Sequence, residues 1–567
     1  MIYFALTLVV LIAAAAFTVD VGGWYYRAQQ IQRAADAAAL AGVPWMPNDF
    51  ATAKRVALQT ARADGFVSAA GGVQVSVLRD PDSAQRLDVS ITDPSAPRFF
   101  SPLFIGKVSE TRAAVAEYDL PVPLGSPENS LGTGGLCLAP GGGCANVWLA
   151  VSGFCAARED GDEYSAFYGG TRATGNTVCT TPGTSGVSAP MFPNPDYRPT
   201  GYTYDVDVPG STPTAPTTAS DVTVEIYDPA YVAGSTPGDS ATGGASATIE
   251  TNWLLHGPGT NAFDQSTDPV VAPSGGSVAS PGKFVSGDAT CKNQWCSLYI
   301  IRAGSASGRY RFNVWTTANQ ATSYGSNNFA LRAARGAVLA GSVDTGPFAP
   351  CSTIDEAGPG SADPTCPVVH GEDAMSLFVN AAGAATCTPP TRQEQSGVGA
   401  AITTVSGAEP CANFFLAQLS SRYAGRTMTI DLFDPGEGAT ALRILQPDGT
   451  PASFTYETVD LPPKADREGP GSGAAYINSD GSSSSPPTAT TTCICDPGLK
   501  PGPLAGRSSP SRYNDRYLVI KTKVPSGAAL TANGGWYKVE YTFNAAQVSD
   551  RTTWSVSVDG NPVHLIS

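Results

Sequence analysis

The chain has 567 residues, with 61 Gly, 46 Pro, 34 Lys+Arg against 49 Asp+Glu, and a formal net charge of −15. That length exceeds one ordinary hydrophobic core, and the Gly and Pro content favours short strands and turns over helical bundles. Residues 1–120 hold 10 basic and 11 acidic residues and the remainder 24 (34 less 10) and 38 (49 less 11); with no basic stripe to release counterions, this composition excludes a nucleic-acid partner.

Ile2–Val19 is an uncharged apolar run of 18 residues. With its neighbours it is long enough to cross a hydrocarbon layer of about 30 Å at about 1.5 Å per residue. A signal peptide is the competing reading, with Ala13–Ala16 as a small-residue cleavage region, but a basic leader is missing. Val21, Trp24, Tyr25 and Tyr26 supply interfacial aromatic and apolar residues, and Ala28–Ala41 continues in good helix formers. An uncleaved transmembrane helix with a helical extension is therefore expected over residues 1–45. Arg27 and Arg33 follow the run, which on the positive-inside rule argues for the reverse orientation. The placement of the cysteines outweighs it, and the abrupt start within the apolar run suggests a basic leader lost through a misassigned start.

The stretch from Val19 to Gly42 has a specific order: Asp20-Val21-Gly22-Gly23-Trp24-Tyr25, then Gln29, Gln30 and Gln32, then Ala34-Ala35-Asp36-Ala37-Ala38-Ala39-Leu40-Ala41-Gly42. On Asp20, Gly22, Trp24, Tyr25, Gln32, Ala35, Asp36, Ala39, Leu40 and Gly42 it resembles the TadE/TadG-like Flp pilus-assembly family. Ala116–Pro127 looks like the junction that follows this module in actinobacterial TadG-like proteins. The resemblance covers about the first 130 residues and implies a membrane-anchored assembly component whose partners are the membrane and other pilus-assembly or envelope proteins. An Asp-x-Gly turn is expected after the span, and the small faces of the Ala-rich helix suit close helix packing.

Residues 46–125 read as a small α+β module. Asn48 or Asp49 can cap a second helix carrying Val56, Leu58 and Ala61, with Gly65 as its stop. Val73–Leu78, Leu87–Ile91 and Val108–Tyr118 alternate as strands. Asp88-Val89-Ser90-Ile91-Thr92 has the residue types of a metal-dependent adhesion motif, but it lies within an alternating strand and lacks the loop that motif needs.

Beyond it, blocks recur in order. Cys144–Ala150 matches Cys411–Ala417, and Val222–Pro229 matches Met428–Pro435. Leu298–Arg302, Gly308–Thr316 and Asn328–Ala333 match Leu518–Thr522, Gly535–Phe543 and Thr553–Val558. With their period-two alternation, they predict a mainly β ectodomain of two tandem antiparallel β-sandwich units, jelly-roll or Ig-like, related by duplication over 126–345 and 346–567. The first carries a disulfide-tied insertion, and the Ser/Gly/Pro-rich stretch Gly469–Thr492 reads as a surface loop.

All 12 cysteines follow residue 136, and the chain has only three His and no paired Cys-x-x-Cys modules. That pattern favours disulfides in an oxidising compartment over a metal site, and so an ectodomain outside the cytoplasm on a single-pass anchor. The candidate pairs are Cys137–Cys144, Cys155–Cys179, Cys291–Cys296, Cys351–Cys366 and Cys387–Cys411, the connectivity being open; Cys493 and Cys495 are too close for a mutual bond to be assumed.

Chemistry-bearing patterns are sparse. Glu159-Asp160-Gly161-Asp162-Glu163 is first an acidic loop; Asp160, Asp162 and Glu163 are a weak Ca²⁺ candidate without EF-hand spacing. His256, His370 and His564 stand apart and in no nucleophile-elbow or zinc-binding context. No catalytic residues and no cofactor are expected, and the chain reads as a non-enzyme. The rival reading is an adhesive or carbohydrate-binding sandwich, with cell-wall or surface glycans as ligands if Trp148, Trp253, Trp295, Trp315, Trp536 and Trp554 form an exposed stacking face; core packing is the plainer role for them.

Overall fold

Helix α1 runs unbroken from Ile2 to Gly42 in the computed structural model, 41 residues and about 60 Å long. The residues described are all except 1, 47–48, 82, 84, 95–107, 120, 133–144, 157, 159–160, 169–178, 180–191, 213–214, 219, 228–231, 234–239, 242–248, 260, 262, 274–281, 286–293, 321–322, 324, 337–349, 356–358, 383–400, 404–410, 435–438, 460–489, 495–516, 544–546, 561–562 and 567. The stretch Gly469–Thr492 falls almost wholly outside them. The turn expected at Asp20–Gly22 is absent: both glycines stay helical, because helix on either side supplies the backbone bonds that a turn would forfeit.

The chain divides into two compact units: Met1–Pro121 with Pro258–Pro269 and Gly560–Ser567, and Val122–Gly257 with Val270–Asp559. The first is the α+β module. Helix α2, Phe50–Ala63, starts at Asp49, whose carboxylate accepts from Thr52 N at 2.9 Å. Its buried face is Ala53, Ala57 and Ala61, four residues apart. Of the apolar residues expected, Val56 and Leu58 are only half-buried, since they lie to the side of that stripe. Strands Gln74–Arg79, Arg86–Asp93 and Glu110–Tyr118 pair antiparallel in that order. A fourth, Val563–Leu565, comes from the far end of the chain and pairs with Ala116–Tyr118, which three residues of unremarkable pattern did not announce. Leu87, Val89 and Ile91 point into a core shared with Ile31, Ala34, Ala35, Ala38 and Ala39 of α1.

The second unit has two large antiparallel sheets and one main hydrophobic core, with smaller buried clusters beside it. One sheet runs through Trp295–Ile301, Val222–Tyr227, Ser326–Arg335, Ala145–Ser152, Ala374–Ala382, Gln547–Val558, Thr427–Phe433, Tyr517–Lys523 and Phe454–Val459. The other runs through Gly282–Val285, Glu250–His256, Gly308–Thr316, Tyr202–Val208, Val368–Gly371, Leu124–Gly125, Cys411–Gln418, Trp536–Phe543 and Ala439–Leu445. Strands from before and after residue 345 thus share both sheets.

Four of the matched blocks sit alike: Val222–Tyr227 lies between Trp295–Ile301 and Ser326–Arg335, as Thr427–Phe433 lies between Tyr517–Lys523 and Gln547–Val558, and Gly308–Thr316 lies between two strands of the other sheet, as Trp536–Phe543 does. The first match does not hold. Ala145–Ser152 and Cys411–Gln418 lie in opposite sheets, and the place of Cys411–Gln418 beside Trp536–Phe543 is taken, beside Gly308–Thr316, by Tyr202–Val208. A short Cys-Ala-Asn coincidence carries less information than strand pairing. Val222–Tyr227 is also buried on both faces, not one: Glu225 pairs with Arg332, and Tyr227 stacks on Trp148 at 5.7 Å.

Disulfides join Cys155 to Cys179 and Cys351 to Cys366, both among the pairs suggested by spacing. Cys296 and Cys493 are also disulfide-bonded. Cys137, Cys144, Cys291, Cys387 and the side chain of Cys411 lie outside the described residues.

Candidate functional site

Helix α1 has two parts with opposite surfaces. Its second half is fastened into the module. Gln32 Nε2 donates to Asp36 Oδ1 at 2.7 Å and to Ala113 O at 3.1 Å, and Arg27 grips Asp93 Oδ2 at 2.7 Å. Ala35 and Ala39 are fully buried, and a Cβ at Gly42 would stand 2.5 Å from Leu87 Cδ2 and 2.8 Å from Ala53 O. The small residues of the motif therefore set the spacing between α1, α2 and the sheet, a packing role inside the module.

The first half is bare. Tyr3, Phe4, Leu8, Leu11, Phe17, Val19, Val21, Tyr25 and Tyr26 are each at least 40% exposed, and among the described residues the other large apolar side chains exposed to that degree or nearly so are Leu78, Phe263, Val270 and Leu565. Exposed apolar side chains gathered in this way form a surface that a membrane or a partner can cover. Trp24 packs edge-on against Phe17 at 6.4 Å, and Asp20 is buried. Among the described residues no helix is long and apolar enough to cross a membrane. The expected span Ile2–Val19 includes side chains 2, 5, 6, 9, 10, 12 and 13, which lie outside those residues.

The sandwich carries a row of charges that its sequence did not single out, with Asp205, Arg311, His370 and Glu372 buried and Asp207 and Arg309 half-buried. On neighbouring strands, Arg311, Asp205 and His370 stand in register, with Arg309 and Asp207 beside them. His370 Nε2 lies 2.9 Å from Asp207 Oδ2, Arg309 Nη1 lies 3.0 Å from Asp205 Oδ2, and Arg311 Nε lies 3.2 Å from Glu372 Oε1. Burial pushes Asp205 up, with Arg309 and His370 opposing. Asp207 is held well below the carboxylate range, since Arg309 and His370 outweigh the effect of burial. Burial disfavours charged His370, but Asp207 and Asp205 outweigh it and raise its pKa. Burial, with help from Asp205, pushes Glu372 up to about 7. A visible signal existed in Tyr204-Asp205-Val206-Asp207 opposite Arg309-Tyr310-Arg311-Phe312: apolar and charged residues alternate on both strands. The row is a lattice of ion pairs, in which the Asp205 oxygens and Arg309 Nη1 are close to opposite charge but make no aligned hydrogen bond, and it fits a structural role.

The acidic loop is drawn inward. Asp162 accepts from Ser152 N and Tyr164 N, each at 3.1 Å, from Tyr202 Oη at 2.5 Å and from Arg551 Nη2 at 3.2 Å. Glu163 accepts from Tyr517 Oη at 3.1 Å. Asp160 lies outside the described residues, among which no group of three or more His, Cys, Asp or Glu could hold a metal ion. Trp148, Trp253, Trp536 and Trp554 are buried and Trp295 and Trp315 half-buried, so these rings form no exposed stacking face. His256 ends a strand, and His564 Nδ1 lies 3.9 Å from Asp119 in the module.

No curated protein matches the chain. Among solved structures, the N-terminal CBM22-1-CBM22-2 tandem domain of Paenibacillus barcinonensis Xyn10C is 8% identical, over 87% of this chain and 93% of that one, with a TM-score of 0.12. At that score the likeness carries no argument. The family described as Tad, putative Flp pilus-assembly TadE/G-like, matches residues 1–61. The match spans α1 and nearly all of α2, so the N-terminal segment of this chain is similar to the TadE/G-like Flp pilus-assembly family, as the residues from Asp20 to Gly42 indicate.

Proposed function

We propose that this protein is a membrane-anchored, extracytoplasmic structural component working with the Flp pilus-assembly machinery, and that it carries out no catalysis. The observation that carries this reading is the bare apolar first half of α1, lying within the segment that matches the family. Lipid or a partner helix would cover that surface, with Tyr25 and Tyr26 at the interface where amphipathic rings settle. The disulfides Cys155–Cys179 and Cys351–Cys366 support an oxidising location for the sandwich. The like pairing of four matched blocks supports an origin by duplication, with the two halves now sharing their sheets. The sandwich is the extracytoplasmic part that the anchored module carries.

The test is in-cell photo-crosslinking from Tyr25, with Lys523 on the sandwich as the control position. Adducts to pilus-assembly proteins at Tyr25 and not at Lys523 are expected. Equal yields at both sites would contradict the assignment.

A further inference from the structure

We propose that the face of α1 carrying Asp20 is the docking site for this chain's own residues 95–107, with Arg98 paired to Asp20 and the apolar stretch between Arg98 and Lys107 laid in lipid beside the anchor. The lipid contact rests on the anchor reading above; the pairing does not. Asp20 is fully buried, although Val19 and Val21 on either side of it are 51% and 40% exposed. Ala16, Gly23 and Trp24, at helical spacing from Asp20, are half-buried with it. Among the described residues the module's core takes α1 only from Ile31 onward, so it does not account for that covered stripe.

The neighbouring strand delivers residues 95–107 to this face. Asp93, the last residue of Arg86–Asp93, is held by Arg27 at 2.7 Å, whereas Leu87 near the strand's start lies against Gly42. Six residues of strand and fifteen of helix separate those two contacts, about 20 Å by either path. The strand therefore runs back along α1 toward the apolar run. Asp20 lies seven residues, nearly two whole turns, before Arg27, and so on the same face and about 10 Å farther toward that run. Asp93 is paired in register with Glu110, so the connection between them leaves and re-enters the sheet at the level of Arg27.

Residues 94–109 hold two cations, Arg98 and Lys107, and no acid. Arg98 is five residues past Asp93 and Lys107 three before Glu110, reaches of about 16 Å and about 10 Å in extended chain, so both can come to the level of Asp20. A carboxylate withdrawn from water is stable beside a cation or strong donors, and Arg98 is the cation that this segment brings. Between the two cations, Phe99–Gly106 is uncharged and includes Phe99, Phe100, Leu103, Phe104 and Ile105. Cations flanking an apolar stretch, at the level where α1 enters lipid, suit a segment whose middle lies in hydrocarbon and whose charges stay at the interface. Eight residues are too few to span a bilayer, so this contact adds to the anchor and does not replace it.

Hydrogen exchange of the full chain in phosphatidylcholine nanodiscs tests the pairing. Amides of residues 99–106 are expected to exchange about tenfold more slowly in the unaltered chain than in Arg98→Asp or Asp20→Arg, and combining the two substitutions should recover most of that slowing. The milder Arg98→Gln should lose part of it, with slow exchange at Ala53–Ala61 reporting that each variant keeps its module folded. Equal exchange in the unaltered chain and the single variants, or a double variant no slower than the singles, would overturn the pairing. A benzophenone side chain in place of Phe104 should form adducts with lipid in the same discs; adducts confined to protein would overturn the lipid contact. Free exchange of residues 2–19 in the discs would instead overturn the anchor reading.

Discussion

Asp162 and Arg551 are 389 residues apart in the chain and meet at 3.2 Å, both buried. Gly161 makes the meeting possible: its φ is +92°, and its backbone lies so close to Arg551 O that a Cβ would collide with it. This contact ties the insertion that follows Ala145–Ser152 to the last long strand of the sandwich, Gln547–Val558.

Removing one partner leaves the other charge buried and uncompensated. Asp162→Ala should cost about 3–5 kcal/mol, read as a lowered urea midpoint, with Asp162→Asn milder. An unchanged midpoint would show that the loop does not tie the two ends together.

At Gly42, α1 comes close to α2. Gly42→Ala places a carbon 2.5 Å from Leu87 Cδ2, which can move, and 2.8 Å from the carbonyl of Ala53, which cannot easily do so. Overpacking of this kind costs about 1–3 kcal/mol, so limited proteolysis should cut the variant's module faster while sparing the sandwich. Equal cleavage would mean the approach is looser than described.

The charged row gives the sandwich a pH dependence of known sign. Glu372, at about 7 against an ordinary 4.5, contributes stability that is complete below its unfolded value and lost as pH rises through 7. His370 and Asp205, also raised, have the same sign, so their contributions too decline with rising pH. Asp207, lowered, acts only in strong acid. Urea midpoints should therefore fall between pH 5 and pH 8.5, and Glu372→Gln should flatten part of that fall. A midpoint that rises across the range would contradict the assignment.

Cys351 and Cys366, 15 residues apart, close a loop just before the strand that carries His370. Replacing both by Ala should cost about 3 kcal/mol, measurable as a lower midpoint that no longer responds to reductant at this pair. No change would show that the reduced chain is already constrained there.

The apolar run, the Ala-rich extension, the Asp49 cap and the alternating strands are all local patterns, and each was legible. Long-range pairing was not. Nothing in Val563–Leu565 indicates a return to Ala116–Tyr118, because three residues hold too little pattern to set a partner. The fusion of both halves into shared sheets was hidden as well: one sheet joins them through the two-residue strand Leu124–Gly125 and the four-residue strand Val368–Gly371, and the other through Ala145–Ser152 and Ala374–Ala382, longer strands whose pattern names no partner. The role of α1 was half legible: Ala35 and Ala39 read as small faces for close helix packing, and the structure uses them, with Gly42, inside the module itself. For the same reason a cut after residue 45 would remove part of that core, and the informative cut falls after Val19.

The proposed role requires above all that the first half of α1 lie in lipid. Alkaline carbonate extraction of cells producing the full chain, beside a chain lacking residues 2–19, tests this directly. The full chain should stay with the washed membranes and the shortened chain should be released with its disulfides intact. A full chain released by carbonate would contradict the anchor.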